Sequence, residues 1–343
     1  MENDTSREIG SIVTSLLLAL KDASTGASAT TSMDSLFGHL PEELFLQIID
    51  AAVSTFLIKD RATVVRLCQT SRAVYNHVAP TLYHTIIATS SNAEAIVEFA
   101  NDKETAPLAA RLFSNTKSLH VIAQIVNIPA ALLQNVEIIQ ASFSMAKEIA
   151  IVADRLDANA GIPESSPSSC SIRRLYMWYA KYQSIYKLSA RTRANVTHIC
   201  GYVSNSAANR NHADFIKNPE TYMRGILDAL PVLTHLGFEL IYLNDSWSHI
   251  VDVWEIGAFE RALRAALSYQ RLDSIAIRVS GRFITRWDEI LRMLLQVSGS
   301  DRRLKVWKDD NGATSWDEEE ALCARDAAEG RSIWTQVRPV QDI

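Results

Sequence analysis

Ser144 with Lys147, and Ser184 with Lys187, stand in the S-x-x-K spacing that lets a lysine amine take the proton of a serine one helical turn away. The Ser-Asp-Asn and Lys-Thr-Gly elements that complete such hydrolases are absent from the chain, and matches this short arise by chance. The eight histidines are scattered without an H-x-x-x-H or H-E-x-x-H pair, so the spacing predicts no zinc site. A different chemistry is written into residues 171–224. Nine cations (Arg173, Arg174, Lys181, Lys187, Arg191, Arg193, Arg210, Lys217 and Arg224) face only Asp214 and Glu220 there, with Tyr176, Trp178, Tyr179, Tyr182 and Tyr186 interleaved. Arginine beside tyrosine and tryptophan is the mixture that dominates protein–protein contact energies. If Leu175 and Met177 point inward on a strand, Arg174, Tyr176 and Trp178 share its other face, where they would grip an acidic segment of a partner protein. The competing reading is a solvated loop face whose aromatics pack on a neighbouring helix. The net charge of −5 argues against a nucleic-acid partner.

Elements that could position such a face recur along the chain. An apolar-x-x-apolar-x-apolar pattern is seen at Val136-Ile138, Ile172-Leu175-Met177, Val196-Ile199 (with Tyr202 beyond), Leu233-Leu236-Phe238, Leu272-Ile275-Ile277 and Leu304-Val306, with Leu119-Val121 as an earlier copy. Alternation over so few residues predicts short strands with one face inward. Between copies lie helical spacings over 213–230, 254–270 and 284–297, the clearest being Phe259, Leu263, Ala266 and Leu267. Short strands alternating with helices predict a parallel sheet, because each strand must be reached by a crossover. A doubly wound sheet would add a glycine-rich strand–helix turn, and with 12 glycines and no G-x-G-x-x-G none is visible.

Residues 40–83 read as three short helices. Pro41 suits a helix start, where a missing N–H costs nothing, and Glu42 and Glu43 meet the positive end of the helix dipole. Leu44, Ile48, Ile49 and Ala52 then form an apolar face. Asp60 can cap a second helix carrying Val64, Val65, Leu67 and Cys68; Ser71 can cap a third carrying Val74, Tyr75 and Val78, which Pro80 is expected to stop. So small a unit buries too little surface to stand alone. Leu40, Phe45, Val65 and Leu82 are therefore expected to face a partner or the next domain.

This stretch resembles the F-box, in the form found in fungal proteins. Leu40-Pro41-Glu42-Glu43-Leu44, Ile48-Ile49, Leu67-Cys68, Ser71-Arg72, Tyr75 and Pro80-Thr81-Leu82-Tyr83 match the family pattern in order, except that Leu82-Tyr83 replaces a common tryptophan. The resemblance implies a module that binds the small adaptor of a cullin–RING (SCF-type) ubiquitin ligase, and through it the cullin. Adaptor contacts would come from Leu40, Pro41, Leu44, Phe45, Ile48, Val65, Leu67 and Leu82. The repeating part is similar to the irregular leucine-rich-repeat arc that often follows a fungal F-box. Its copies are spaced unevenly, and the Asn or Cys of regular repeats is mostly missing.

The expected fold class is therefore α/β, a three-helix F-box followed by an irregular leucine-rich-repeat-like solenoid. Residues 1–35 would form a flexible tail with at most a short helix, 36–84 the helical module, 85–308 the repeat domain and 309–343 a closing segment. The apolar run Ile12–Leu20 follows an acidic start, which is unlike a secretion signal, and is too short to span a bilayer. Residues 22–35 are rich in Ser, Thr, Ala and Gly, the composition of a linker. Cys68, Cys170, Cys200 and Cys323 lack C-x-x-C spacing, as expected for reduced thiols in a cytoplasmic or nuclear protein. The expected function is that of a non-enzymatic substrate receptor for a ligase, with no cofactor and no membrane partner. The alternative is an interaction scaffold with no ligase role.

Overall fold

A computed structural model of the chain describes residues 41–59, 61–121, 127–161, 172–178, 185–204, 217–242, 256–310, 325–326 and 332–343. The chain divides into two compact units, one ending at Tyr83 and one running from His84 to Ile343.

In the first unit, α1 (Glu42–Lys59), α2 (Arg61–Cys68) and α3 (Arg72–His84) share a core of Ile48, Ile49, Ala52, Val53, Val64, Leu67, Cys68, Val74, Val78 and Leu82. Pro41 precedes α1, and its carbonyl accepts the first helical bonds from Leu44 and Phe45. Ser71 caps α3 as its sequence position predicts, its Oγ accepting from the Val74 N–H at 3.1 Å. Asp60 lies outside the described residues. Pro80 does not stop α3, which continues to His84. The proline is exposed, so the helical bond it forfeits is lost on the solvent side, while Leu82 two residues on is buried in the shared core and holds the last turn in place. Asp50 of α1 and His77 of α3 meet at 2.7 Å.

The second unit is built on a nine-stranded sheet in simple sequential order. Its strands are β1 (Thr85–Ala88), β2 (Ser118–Val121), β3 (Ile138–Ser142), β4 (Arg174–Trp178), β5 (His198–Ser204), β6 (His235–Tyr242), β7 (Ser274–Gly281), β8 (Leu304–Asp309) and β9 (Arg338–Pro339). Strands β1 to β8 pair in parallel, and β9 returns antiparallel to β8. The order never reverses, so these strands have no switch point of the kind at which doubly wound sheets bind ligands.

The crossovers carry α4 (Ala93–Asn101) and α5 (Ala106–Phe113), then α6 (Phe143–Asn159), α7 (Ala190–Arg193), α8 (Pro219–Ala229), α9 (Ile256–Leu267) and α10 (Trp287–Ser298). The register aligns Ile86, Leu119, Ile139, Leu175, Ile199, Leu236, Ile275 and Leu304 in one row across eight strands. That row, with Phe259 and Leu263 of α9 and Ile290 and Leu294 of α10, belongs to one continuous core. Each well-buried Leu, Ile or Phe there contributes about 1.5–3 kcal/mol.

In five of the sequence copies the first apolar residue falls before its strand. Val136, Ile172, Val196, Leu233 and Leu272 are all 3% exposed or less, closing the core beneath the strand starts. The segment after 308, expected to close the repeat domain, belongs to the same compact unit. Asp309 ends β8, α11 (Ile333–Gln336) follows, and β9 leads to a 3-10 turn whose Val340 is buried in the main core. Among the described residues no helix is long and apolar enough to cross a membrane.

Candidate functional site

Two surfaces carry the residues singled out by the sequence, one in each unit.

On the helical unit, Leu44 and Val65 are large apolar side chains left 47% and 42% exposed. Their neighbours explain the choice. On α1 the helical period sends Ile48, Ile49 and Ala52 into the shared core, which leaves Leu44 over the first turn. On α2 the same period buries Val64, Leu67 and Cys68, so Val65 faces out. Phe45 is half-buried against the core, and Pro41 is exposed beside it. Ile48, Leu67 and Leu82, also expected among the contacts, are 6%, 4% and 6% exposed and pack in the core that the three helices share. Leu40 lies outside the described residues. Of the expected contact residues, Pro41, Leu44 and Val65 are exposed and Phe45 is half-buried.

In the second unit, the face of the sheet opposite the main core bears the polar positions of the strands. Arg174 pairs in register with Ile138 and His198, Tyr176 with Gln140 and Cys200, and Trp178 with Ser142. Arg174 is half-buried, and for Tyr176 and Trp178 the described feature is strand position alone. The basic stretch around them is broken up by the fold. Arg191 is spent on a buried ion pair with Asp157 at 3.1 Å, and Arg193 lies over the Tyr186 ring, whose hydroxyl donates to the Gly225 carbonyl. Lys181, Tyr179, Tyr182 and Arg210 fall outside the described residues, as do Ser184 of the second S-x-x-K match and the cysteines Cys170 and Cys323.

Three arrangements on this face were missed in the sequence. First, Thr197-His198 and Thr234-His235 occupy the same register on β5 and β6. Their imidazoles stack at 3.9 Å and 14°, and each Nδ1 lies 2.9 Å from the hydroxyl of the preceding threonine. The repeated Thr-His ahead of Ile199 and Leu236 was the available signal. Burial, His235 and Arg174 push His198 down to about 3, and burial lowers His235 as well. Second, Arg278 donates to Asp309 at 2.6 Å and to Glu239 at 3.2 Å while lying 4.9 Å above the Trp307 ring, with Asp326 at 3.9 Å. No local spacing announces this cluster, because its members sit on three strands and a distant segment.

Third, Ser118 and His120 of β2 meet Gln140 of β3, with Oγ–Nε2 at 2.8 Å and Nδ1–Oε1 at 2.6 Å. This is the order of nucleophile, base and orienting group in hydrolases. Ser118 and His120 are only 5% and 7% exposed, however, so in this structure the trio acts as a polar tie between adjacent strands. Burial holds His120 down to about 4 from the ordinary 6.5. The unfolded chain therefore takes up a proton near pH 6.5 that the folded chain refuses until about pH 4, and stability falls with pH across that window. The loss attached to this one group is about 3 kcal/mol. Urea unfolding between pH 7 and 4 is expected to show it, and His120→Asn should flatten that acid limb by about one proton's slope, near 1.4 kcal/mol per pH unit.

No family model, curated protein or solved structure matches the chain.

Proposed function

We propose that the protein is a substrate receptor of a cullin–RING ubiquitin ligase. The helical unit docks the adaptor, and the sheet domain, an irregular leucine-rich-repeat-like solenoid, holds a protein target so that ubiquitin transfer follows from proximity. The observation that carries the reading is the division of labour within α1 and α2. Their buried residues close a core made of the unit's own side chains, while Leu44 and Val65 are kept at the surface beside Pro41 and Phe45. Exposing large aliphatic side chains has a use when a second protein covers them. The sequential parallel strands give the second unit a sheet face opposite its core, bearing Arg174, His198 and His235, on which we place a polypeptide target.

The test is capture of the purified adaptor by the full chain. Leu44→Asp with Val65→Asp is expected to weaken capture at least a hundredfold while leaving the unfolding midpoint unchanged, since both side chains are exposed. Ile48→Ala makes the contrast. It hollows the unit's core and is expected to cost about 3 kcal/mol of stability, so any loss of capture would come with a lower midpoint. Undiminished adaptor binding by the double aspartate variant would remove the docking assignment. Absence of adaptor binding by the unaltered chain would leave an interaction scaffold without a ligase role.

A further inference from the structure

The two faces of the sheet are built differently. Where β5 to β7 meet the helices, their side chains are Ile199, Leu236, Phe238, Ile275 and Ile277, all in the main core. The opposite face of the same strands carries His198, His235, Glu239, Arg278 and Ser280, and the chain's own α11 lies over its first part, at His198, His235, Cys200 and Ala276. Ile333 is 2% exposed and packs on Cys200 and Ala276. Trp334 stands edge-on to both stacked imidazoles, its ring 5.3 Å from His198 and 5.5 Å from His235. Gly237 makes room for it: a Cβ there would come within 3.1 Å of the indole and 2.8 Å of the Cys200 sulfur.

A face meant for permanent cover gains from being apolar, because burying charged groups costs free energy that hydrophobic residues of the same volume do not. This face retains two imidazoles under α11, both made less basic by burial, and buried Glu239, Arg278 and Asp309 farther along the strands. The cover matches it incompletely, since the Trp334 Nε1 is buried with no hydrogen-bond partner among the described residues. Nor does α11 depend on the sheet for its shape. The Thr335 hydroxyl accepts from the Ser332 N–H at 3.1 Å within the segment, and the strand that follows pairs through only two residues.

We infer that Ser332–Gln336 is a displaceable internal ligand. The β5–β7 face is a groove for a short helical turn that presents an aliphatic residue followed by tryptophan, and a target segment of that chemistry takes its place. The charges along the face are mixed, Arg174, Lys305 and Arg278 against Asp273, Glu239, Asp309 and Asp326, so the aliphatic–tryptophan pair rather than flanking charge sets the preference. The inference rests on the target-holding role proposed for the sheet domain and is independent of adaptor docking.

The probe is a fluorescein-labelled peptide of residues 330–338, GRSIWTQVR, titrated by anisotropy against the full chain. Ile333→Ala with Trp334→Ala in the chain empties the groove. That variant is expected to bind the peptide saturably and at least tenfold more tightly than the unaltered chain does. A peptide with Ala-Ala in place of Ile-Trp should not bind. If the variant keeps its circular dichroism and does not bind, the inference is overturned. Amide hydrogen exchange on the unaltered chain gives a second reading that needs no variant. The amides of residues 335–337 are expected to exchange at least a hundredfold faster than those of β6 and β7, and equal protection would show a permanent part of the core. Adaptor capture is measured alongside. Its loss with peptide binding intact sinks the ligase reading alone, whereas intact capture without peptide binding sinks the groove alone.

Discussion

Arg278→Ala is expected to lower the stability of the sheet domain by about 3–5 kcal/mol, the range found when one partner of a buried ion pair is removed. The guanidinium is 3% exposed and sits between Glu239 and Asp309, themselves 4% and 6% exposed, with its charge resting on the Trp307 ring. Removing it strips the central cation from carboxylates that cannot regain water without opening the sheet. Urea unfolding followed by tryptophan fluorescence measures the loss. Adding Glu239→Gln and Asp309→Asn to Arg278→Met should recover much of it, because the neutral amides no longer demand a cation. A loss under about 1 kcal/mol for Arg278→Ala would mean that water reaches the cluster and that the pair behaves as an exposed one.

Phe259→Ala is the second large effect, at about 3–5 kcal/mol. Phe259 has no exposed surface and meets Phe238 edge-on, with ring centroids 5.3 Å apart. The substitution therefore leaves a cavity between α9 and β6 and removes an aromatic pair worth about 1 kcal/mol beyond its area. Leu295→Ala on α10 is the control. Its side chain is 45% exposed, and the change should stay within about 0.5 kcal/mol. The two variants separate packing from hydrophobicity, since both delete a large apolar group from a crossover helix.

These variants also mark how far local pattern reaches. The seven strands that the apolar alternation predicts, from Leu119 to Val306, all occur, as do the helices around Ile226, Leu263 and Leu294. Periods of two and 3.6 are properties of neighbouring residues and can be read without knowing the fold. β9 escaped notice because two residues are too few for any period, and β1 because its adjacent Ile86-Ile87 breaks the alternation. The expectation that Pro80 ends α3 failed for another reason. Proline's local cost is real, but the burial of Leu82 after it outweighs that cost, and burial depends on what the other helices bring. The same applies to Ile48, Leu67 and Leu82, whose apolar character was visible while the choice between core and contact surface was not.

The sequence by itself determined the existence and kind of most elements, the parallel pairing that their alternation requires, and the three short helices before them, because each follows from spacing within a few residues. Only the tertiary structure decided which apolar side chains of the helical unit stay outside. It alone stacked His198 on His235, surrounded Arg278 with carboxylates, and laid Trp334 over Gly237. Those contacts join strands and segments far apart in the chain, and their energies depend on register and burial, which exist only once the sheet has formed.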